Sequence, residues 1–294
     1  MKERLTLSDK PLVSVIVPTK NSEKDLRESL DSIKKQTYQN IELIVVDNFS
    51  TDRTRESARE FGAAIYVIGP ERSTQMNYGG KVAKGEYVYF MGSDFVLTQG
   101  LIEECVRLVS IGHDAVIVWN VSDQSKSIWA KTRYYERLSY YGSNVYEGAR
   151  FVKRDIFLEV GGFDEGIFAN EDIALGRKLM EIGARTGRTE NNYELHIGEP
   201  RKLKEVVLKS YYYGGGMKKF FVKYGLQSAA LPVRSTFFRR KFVKKLLKEW
   251  PQGVLLIPFL KLLEASLALM GCLTNPQISP YESAPSNHKL LVER

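Results

Sequence analysis

Cysteine is scarce. Cys105 and Cys272 are the two in 294 residues and stand far apart with no paired spacing. That argues against a disulfide framework or a zinc site and fits a reducing compartment. Glycine-rich phosphate loops are missing as well. The stretch VIVPTKNSEKD, at the first strand-like run, contains no Gly-x-Gly-x-x-Gly, which a nicotinamide-dependent reductase would want there. The basic, glycine-rich loop with which a nucleotidyltransferase usually starts is absent too. No internal repeat or low-complexity tract is evident. The first ten residues, MKERLTLSDK, are polar and charged, so no secretory signal is expected there.

The rest of the composition is ordinary, 43% hydrophobic and 27% charged. It suffices for a real core in one large domain with a smaller appendage, or in two modest domains. Charge is spread unevenly. Residues 201–250 hold 14 Lys and Arg against two acids, Glu205 and Glu249, a net +12, whereas residues 1–200 carry −4. A basic surface therefore belongs to the rear of the chain, and nucleic acid, anionic lipid or a lipid phosphate would match it.

From Leu12 to Trp119, short β-branched runs (LVSVIV, IELIVV, AIYVI, YVYFM, AVIVW) alternate with helix-like stretches. Runs apolar on both faces and separated by helices predict a doubly wound α/β unit with a parallel sheet. Ser22 is placed to cap the first helix, with Asp25 three residues on and Leu26, Leu30 and Ile33 on one face. A second helix is expected after Thr98, burying Leu101, Cys105 and Leu108. Residues 120–165 lose the rhythm and are rich in Tyr, Ser and Gly. A further helix is expected from about Glu171, with Leu175, Leu179 and Ile182 on one face.

In open α/β sheets ligands sit beyond the carboxyl ends of the strands. Here the first strand runs into Pro18-Thr19-Lys20-Asn21, the second into Asp47-Asn48-Phe49-Ser50-Thr51-Asp52 and the fourth into Gly92-Ser93-Asp94. A carboxylate at the second end can accept hydrogen bonds from a base or a ribose. One at the fourth can hold a divalent cation against a diphosphate, because Mg²⁺ typically binds one or two carboxylates plus phosphate oxygens. Taken singly, such residues also make turns and caps.

Together with VSVIVPTKN, IELIVVDNFSTDRT, ERSTQMNYGGKVAKGEYVYFMGSD, GGFDE, the pair Glu171-Asp172 and His196, these segments resemble family 2 glycosyltransferases with the GT-A fold, a Rossmann-like nucleotide-diphospho-sugar transferase architecture. The resemblance implies a catalytic domain over residues 1–200 followed by a basic, amphipathic helical region over 201–294. It implies a nucleotide-sugar donor, with a UDP-sugar favoured over a GDP-sugar, a divalent cation (Mg²⁺ or Mn²⁺), and transfer with inversion. Pro18, Thr19, Asn21 and Asp47 would line the base side of the donor site, and Arg72, Asn77, Ser93 and Asp94 the rest of it. Asp172 would be the base that takes the acceptor's proton, with Glu171 orienting the acceptor and Arg150 and Gly162 meeting it. Asp94 and His196 would hold the metal. Gly92 replaces the first Asp of the family's Asp-x-Asp motif, which leaves either weaker metal binding or an ion completed by phosphate, water and His196.

At the rear, Gly253–Leu273 is a long apolar run interrupted by Pro258, Lys261 and Glu264. Lys261 and Glu264 are three apart, so on a helix they share a face. Preceded by RSTFFRRKFVKKLLKEW, the run reads as an in-plane interfacial anchor on the cytoplasmic face of the cell membrane. The alternatives are a buried hairpin or oligomer contact, and a single membrane span. A membrane-attached enzyme suits a lipid-linked acceptor such as a polyprenyl phosphate sugar, in polysaccharide assembly or protein glycosylation. Two rivals remain: a donor-binding protein without turnover, and a nucleic-acid binder stacking bases on Tyr211–Tyr213, Phe220, Phe221, Phe237 and Phe238. The hydrophobic helix directly behind the charge favours lipid over nucleic acid.

Overall fold

The structure is a computed structural model and describes residues 10–143, 147–167, 170–225, 240–274 and 291–293. The first nine residues, Phe237 and Phe238, and the front of the RSTFFRRKFVKKLLKEW stretch lie outside the described residues. The front of the chain runs β1 (Val13–Thr19), α1 (Glu23–Lys34), β2 (Ile41–Asp47), α2 (Thr54–Glu60), β3 (Ala64–Val67), α3 (Arg72–Val82) and β4 (Tyr87–Phe90). Then follow β5 (Phe95–Leu97), α4 (Leu101–Ser110), β6 (Ala115–Ser122), α5 (Ile128–Tyr140), β7 (Phe151–Lys153), α6 (Arg154–Glu159), α7 (Glu171–Glu181) and β8 (Thr186–His196). The rear consists of α8 (Leu203–Tyr224), α9 (Arg240–Glu249), α10 (Gly253–Thr274) and β9 (Leu291–Glu293).

The strands form one sheet in the order β5-β8-β6-β7-β4-β1-β2-β3-β9. Parallel pairing holds where the sequence alternated, from β3 through β2 and β1 to β4, and again between β6 and β8. It fails at β7, β5 and β9, which run antiparallel to their neighbours. The five alternating runs are thus parallel to one another, as expected, and the short β5, β7 and β9 make the whole sheet a mixed one. Antiparallel entry needs no crossover helix, so three-residue strands suffice, and strands that short leave no period to read.

Alternate residues of the central strands feed two cores. Val13, Val15 and Val17 meet Leu26, Leu30 and Ile33 of α1 and Leu101, Cys105 and Leu108 of α4 on one face. Ile16, Ile44 and Val88 meet Met76, Phe157, Leu175 and Leu179 on the other. Burying each such side chain contributes about 1.5–3 kcal/mol, which is why these strands read as unbroken apolar runs. Ile182 departs from expectation: it lies just past the end of α7 and is 47% exposed. Ser22 does occupy the position before α1, but its hydroxyl caps nothing. It bonds Ser93 Oγ instead (3.0 Å), and the Glu23 N–H donates to Asp52 Oδ2 (3.1 Å). The loop after β2 thereby caps the helix after β1.

At the rear, α8 remains helical through Gly214-Gly215-Gly216 because α10 crosses it there. A Cβ on Gly214 would stand 2.2 Å from Ala268 O, and one on Gly271 2.0 Å from Tyr211 O. Close backbone approach is what these glycines permit. The charged residues of α10 face the protein: Lys261 pairs with Glu264 (2.7 Å) and Glu136 of α5 (2.5 Å), and Arg133 of α5 also holds Glu264. Lys261 and Glu264 do share a face and pair, and that face is turned inward, since charges so close to an apolar face are best compensated by partners. Outward point Leu255, Phe259, Leu262, Leu269 and Leu273.

Candidate active site

A cavity of about 420 Å³ opens beside the ends of β4 and β6, walled by α3, α5, α7, α8 and the loops between them. Its floor comes from the aromatic cluster of Phe90 and Phe163, whose rings meet edge to face at 4.8 Å. Phe163 is aimed there by the GGFDE loop. Gly162 has φ +62°, and a Cβ on it would strike Asn77 Oδ1 at 2.4 Å. Asn77 clasps the Phe163 backbone in both directions, accepting from its N–H (2.8 Å) and donating to its carbonyl (2.9 Å). Gly162 and Asn77, expected at the acceptor and donor, act here on the loop and lie off the cavity wall.

Asp172 and Glu171 enter the cavity on the first turn of α7, where the helix dipole favours acids. Asn170 before them is left-handed (φ 65°), and Gly148 lets the 147–150 segment pass so close that a Cβ would stand 2.5 Å from the Asp172 backbone. Glu171 pairs with Arg72 at 3.4 Å. Burial pushes the Glu171 carboxyl up, and the neighbouring Asp172 charge adds to this against the pull of Arg72. The outer end of Arg72 is open to the cavity, while its shielded Nε has no hydrogen-bond partner among the described residues.

Asp94, His196 and Glu199 form a chain. His196 Nε2 lies 2.9 Å from Asp94 Oδ2, and Nδ1 lies 2.8 Å from Glu199 Oε1. Ser122 Oγ donates to Glu199 (2.6 Å) and Arg137 pairs with it (3.1 Å). Burial would lower the His196 pKa, but the two carboxylates outweigh it and raise it. Burial would likewise raise Asp94 and Glu199, yet His196 holds both well below the ordinary carboxylate range. Among the described residues no cluster of three or more metal-ligating side chains encloses an ion. Asp94 and His196 nonetheless fit an ion shared with substrate oxygens, as Mg²⁺ commonly is. An ion there would take the place of the proton shared between Nε2 and Asp94 Oδ2 while Glu199 accepts the Nδ1 hydrogen, which is how metal-bound histidines are usually held.

Gly92 has a structural reason. A Cβ there would meet the Phe95 ring at 2.3 Å. That ring fills the place of the missing Asp side chain, stacks on His196 (4.6 Å, 18°) and carries the Arg150 guanidinium at 5.4 Å. Arg150 reaches the cavity wall, but its charge is committed to an ion pair with the fully buried Glu194.

Pro18, Thr19, Asn21, Asp47 and Ser93 lie off this wall, gathered at the ends of β1, β2 and β4. Asp47 is completely buried, accepting from Thr19 Oγ1 (2.9 Å) and the Ser50 N–H (2.8 Å). The Asn21 N–H donates to Ser50 Oγ (2.8 Å). The structure thus brings Arg72, Asp94, Arg150, Glu171, Asp172 and His196 together and sets the strand-end polar cluster beside them. Sequence reasoning missed Glu147, Gly148, Glu199, Arg133, Arg137, Lys209 and Tyr213. Glu199 had a signal, three residues after His196. Lys209 had none, because only the folding of α8 over the cavity brings it in, and Tyr213 had been noted only for stacking nucleic-acid bases.

The family model of glycosyl transferase family 2 matches residues 14–163. The chain belongs to that family. A stretch of 191 residues is 29% identical to an uncharacterised glycosyltransferase of Rickettsia typhi, covering 59% of this chain and 60% of the relative. Over 123 residues it is 36% identical to glycosyltransferase GlyG of Streptococcus pneumoniae, covering 40% and 41%. The matched stretches span less than two thirds of either relative. Among solved structures, a mannosyltransferase from Pyrobaculum calidifontis in complex with GDP-Man and Mn²⁺ superposes with a TM-score of 0.62 at 17% identity, over 92% of this chain and 88% of that one. The shared architecture is the GT-A fold.

Proposed function

We propose that the chain transfers a sugar from a nucleoside-diphosphate sugar to an acceptor hydroxyl with inversion, using Asp172 as the base. One observation carries this reading. Five carboxylates line the cavity, and four are engaged by cations or histidine: Glu171 by Arg72, Glu147 by Arg188, Asp94 by His196, and Glu199 by His196 and Arg137. Asp172 has no ion pair among the described residues and accepts only the Ile173 N–H (2.9 Å). A base must be free to take a proton, and Asp172 alone of the five keeps that freedom.

On this reading Asp172 removes the acceptor hydroxyl's proton as the oxygen attacks the anomeric carbon from the face opposite the diphosphate, through an oxocarbenium-like transition state. Arg72, with its unpartnered Nε, supports the diphosphate, and Glu171 holds Arg72 in place. Asp94 and His196 would hold a divalent cation, which would neutralise charge on the departing diphosphate. The mannosyltransferase neighbour, solved with Mn²⁺ and a GDP-sugar, agrees with this assignment. The strand-end cluster around Thr19, Asn21 and Asp47 takes the nucleoside side. Residues 1–200 form the catalytic region, and 201–294 a membrane-associating one.

The acceptor we assign is lipid-linked, with the protein peripheral on the cytoplasmic face of the membrane. What supports this is the outward stripe of α10, a 22-residue helix long and apolar enough to cross a membrane, beside exposed Lys241, Lys244, Lys245 and Lys248 on α9. The deciding experiment is a transfer assay on the full chain with UDP- and GDP-sugars, Mg²⁺ or Mn²⁺, and a short polyprenyl-phosphate-linked acceptor, against Asp172→Asn. Loss of turnover by about 10²–10⁴-fold with donor binding intact is expected. Undiminished turnover in Asp172→Asn removes the assignment of the base.

A further inference from the structure

Five cationic side chains line the cavity: Arg72, Arg133, Arg137, Arg150 and Lys209. Four are already committed. Arg72 holds Glu171, Arg133 holds Glu136 and Glu264, Arg137 holds Glu199, and Arg150 holds Glu194. Drawing any of these fully onto a ligand would strand a buried or half-buried carboxylate, which is costly. Lys209 differs. Among the described residues no carboxylate lies within ion-pair distance of it, and its ammonium rests 5.8 Å from the centre of the Tyr213 ring. It is half-buried on the cavity-facing side of α8, outside every motif that carries the family resemblance.

We propose that Lys209 is a donor-binding residue that takes the terminal phosphate of the nucleoside diphosphate, an assignment that rests on the donor reading above. Two further observations point to the donor's phosphate rather than to one on an acceptor. Lys209 lines the same cavity as Asp94, which stands at the strand end where the diphosphate and its cation belong. Gly92 has also removed one negative charge from that strand end, and with it part of the capacity to hold a cation against the phosphates. A lysine lining the same cavity makes up positive charge there directly. Its compact ammonium carries three donors on a flexible stem, so it can follow the phosphate oxygens as the bond to the sugar lengthens.

The test is a ligand ladder on the full chain: calorimetric binding of uridine, UMP and UDP (with guanosine, GMP and GDP in parallel) to wild type, Lys209→Met and Lys209→Arg. Charge-assisted hydrogen bonds of this kind are worth about ten- to a hundredfold in affinity. Lys209→Met is therefore expected to weaken the diphosphate by at least about tenfold, to leave the nucleoside and the monophosphate unchanged, and to be partly rescued by Lys209→Arg. Equal diphosphate binding by wild type and Lys209→Met overturns the assignment while leaving the donor reading standing. So does a loss of the same size on the bare nucleoside or, with a short polyprenyl phosphate titrated alongside, one confined to that lipid phosphate. Failure of wild type to bind any member of either ladder would sink the donor reading and Lys209's role with it.

Discussion

Glu199 touches no substrate in this arrangement, yet it decides which nitrogen of His196 can face an ion. Its Oε1 stands 2.8 Å from Nδ1 and is itself held by Ser122 and Arg137. Loss of such a partner typically costs ten- to a hundredfold in metal affinity. For Glu199→Gln we expect Mn²⁺ binding, followed by electron paramagnetic resonance with UDP present, to weaken by about that factor while UDP binding without metal stays put. Unchanged Mn²⁺ affinity would mean that His196 is not a ligand. At this scale the sequence was informative where a residue belongs to a motif. Asp94, Arg72, Glu171 and Asp172 do meet around one cavity. Asp47 and Asn77 lie off its wall, Asp47 in the strand-end cluster beside it and Asn77 beneath the GGFDE loop, because a short polar side chain is equally suited to organising a turn and only its neighbours decide where it works.

Among elements, the joint between α7, α8 and the GGFDE loop depends on one carboxylate. Asp164 accepts from Lys178 of α7 (2.7 Å) and from Lys223 (2.7 Å) and Tyr224 of α8. Burial would raise its pKa, but these three partners hold it down at about 2 against an ordinary 3.8. A depressed carboxylate stabilises the fold above its unfolded pKa and loses that stabilisation as pH falls through the folded one. The joint should therefore be intact above about pH 4 and weaken between pH 4 and 2, with on the order of 2 kcal/mol at stake. Thermal melts across this range should show an acid limb that is blunted in Asp164→Asn, which itself should be less stable at neutral pH. Identical pH profiles for the two proteins would show that the joint contributes nothing. Of the two helices in this joint, α7 was legible from its apolar period, Leu175 and Leu179 included, whereas α8 was expected only as part of a basic helical region. The ion pairs were not, since their partners are up to 59 residues apart in the chain.

For the molecule as a whole, the orientation of α10 matters most. Its inward Lys261 and Glu264 are satisfied by α5, and its outward leucines are covered by nothing among the described residues. Lysines on α9 stand beside it, each worth on the order of 1 kcal/mol near an anionic surface. We expect the protein to co-sediment with phosphatidylserine-containing vesicles more than with phosphatidylcholine alone, and less as salt rises. The triple variant Leu255→Gln, Leu262→Gln, Leu269→Gln should lose at least tenfold in vesicle affinity while keeping its helical circular dichroism. Retained vesicle binding with loss of a concentration-dependent dimer would instead assign the stripe to a second copy of the chain.

The sequence alone determined the alternating α/β core, the strand-end polar clusters and the family, because these are local: a period, a turn, a motif of contiguous residues. The tertiary structure decided the mixed direction of the sheet, the filling of Gly92's space by Phe95, the inward face of α10 and the arrival of Lys209 over the cavity. Each of those joins segments distant in the chain, and no local pattern specifies which residues packing will bring together.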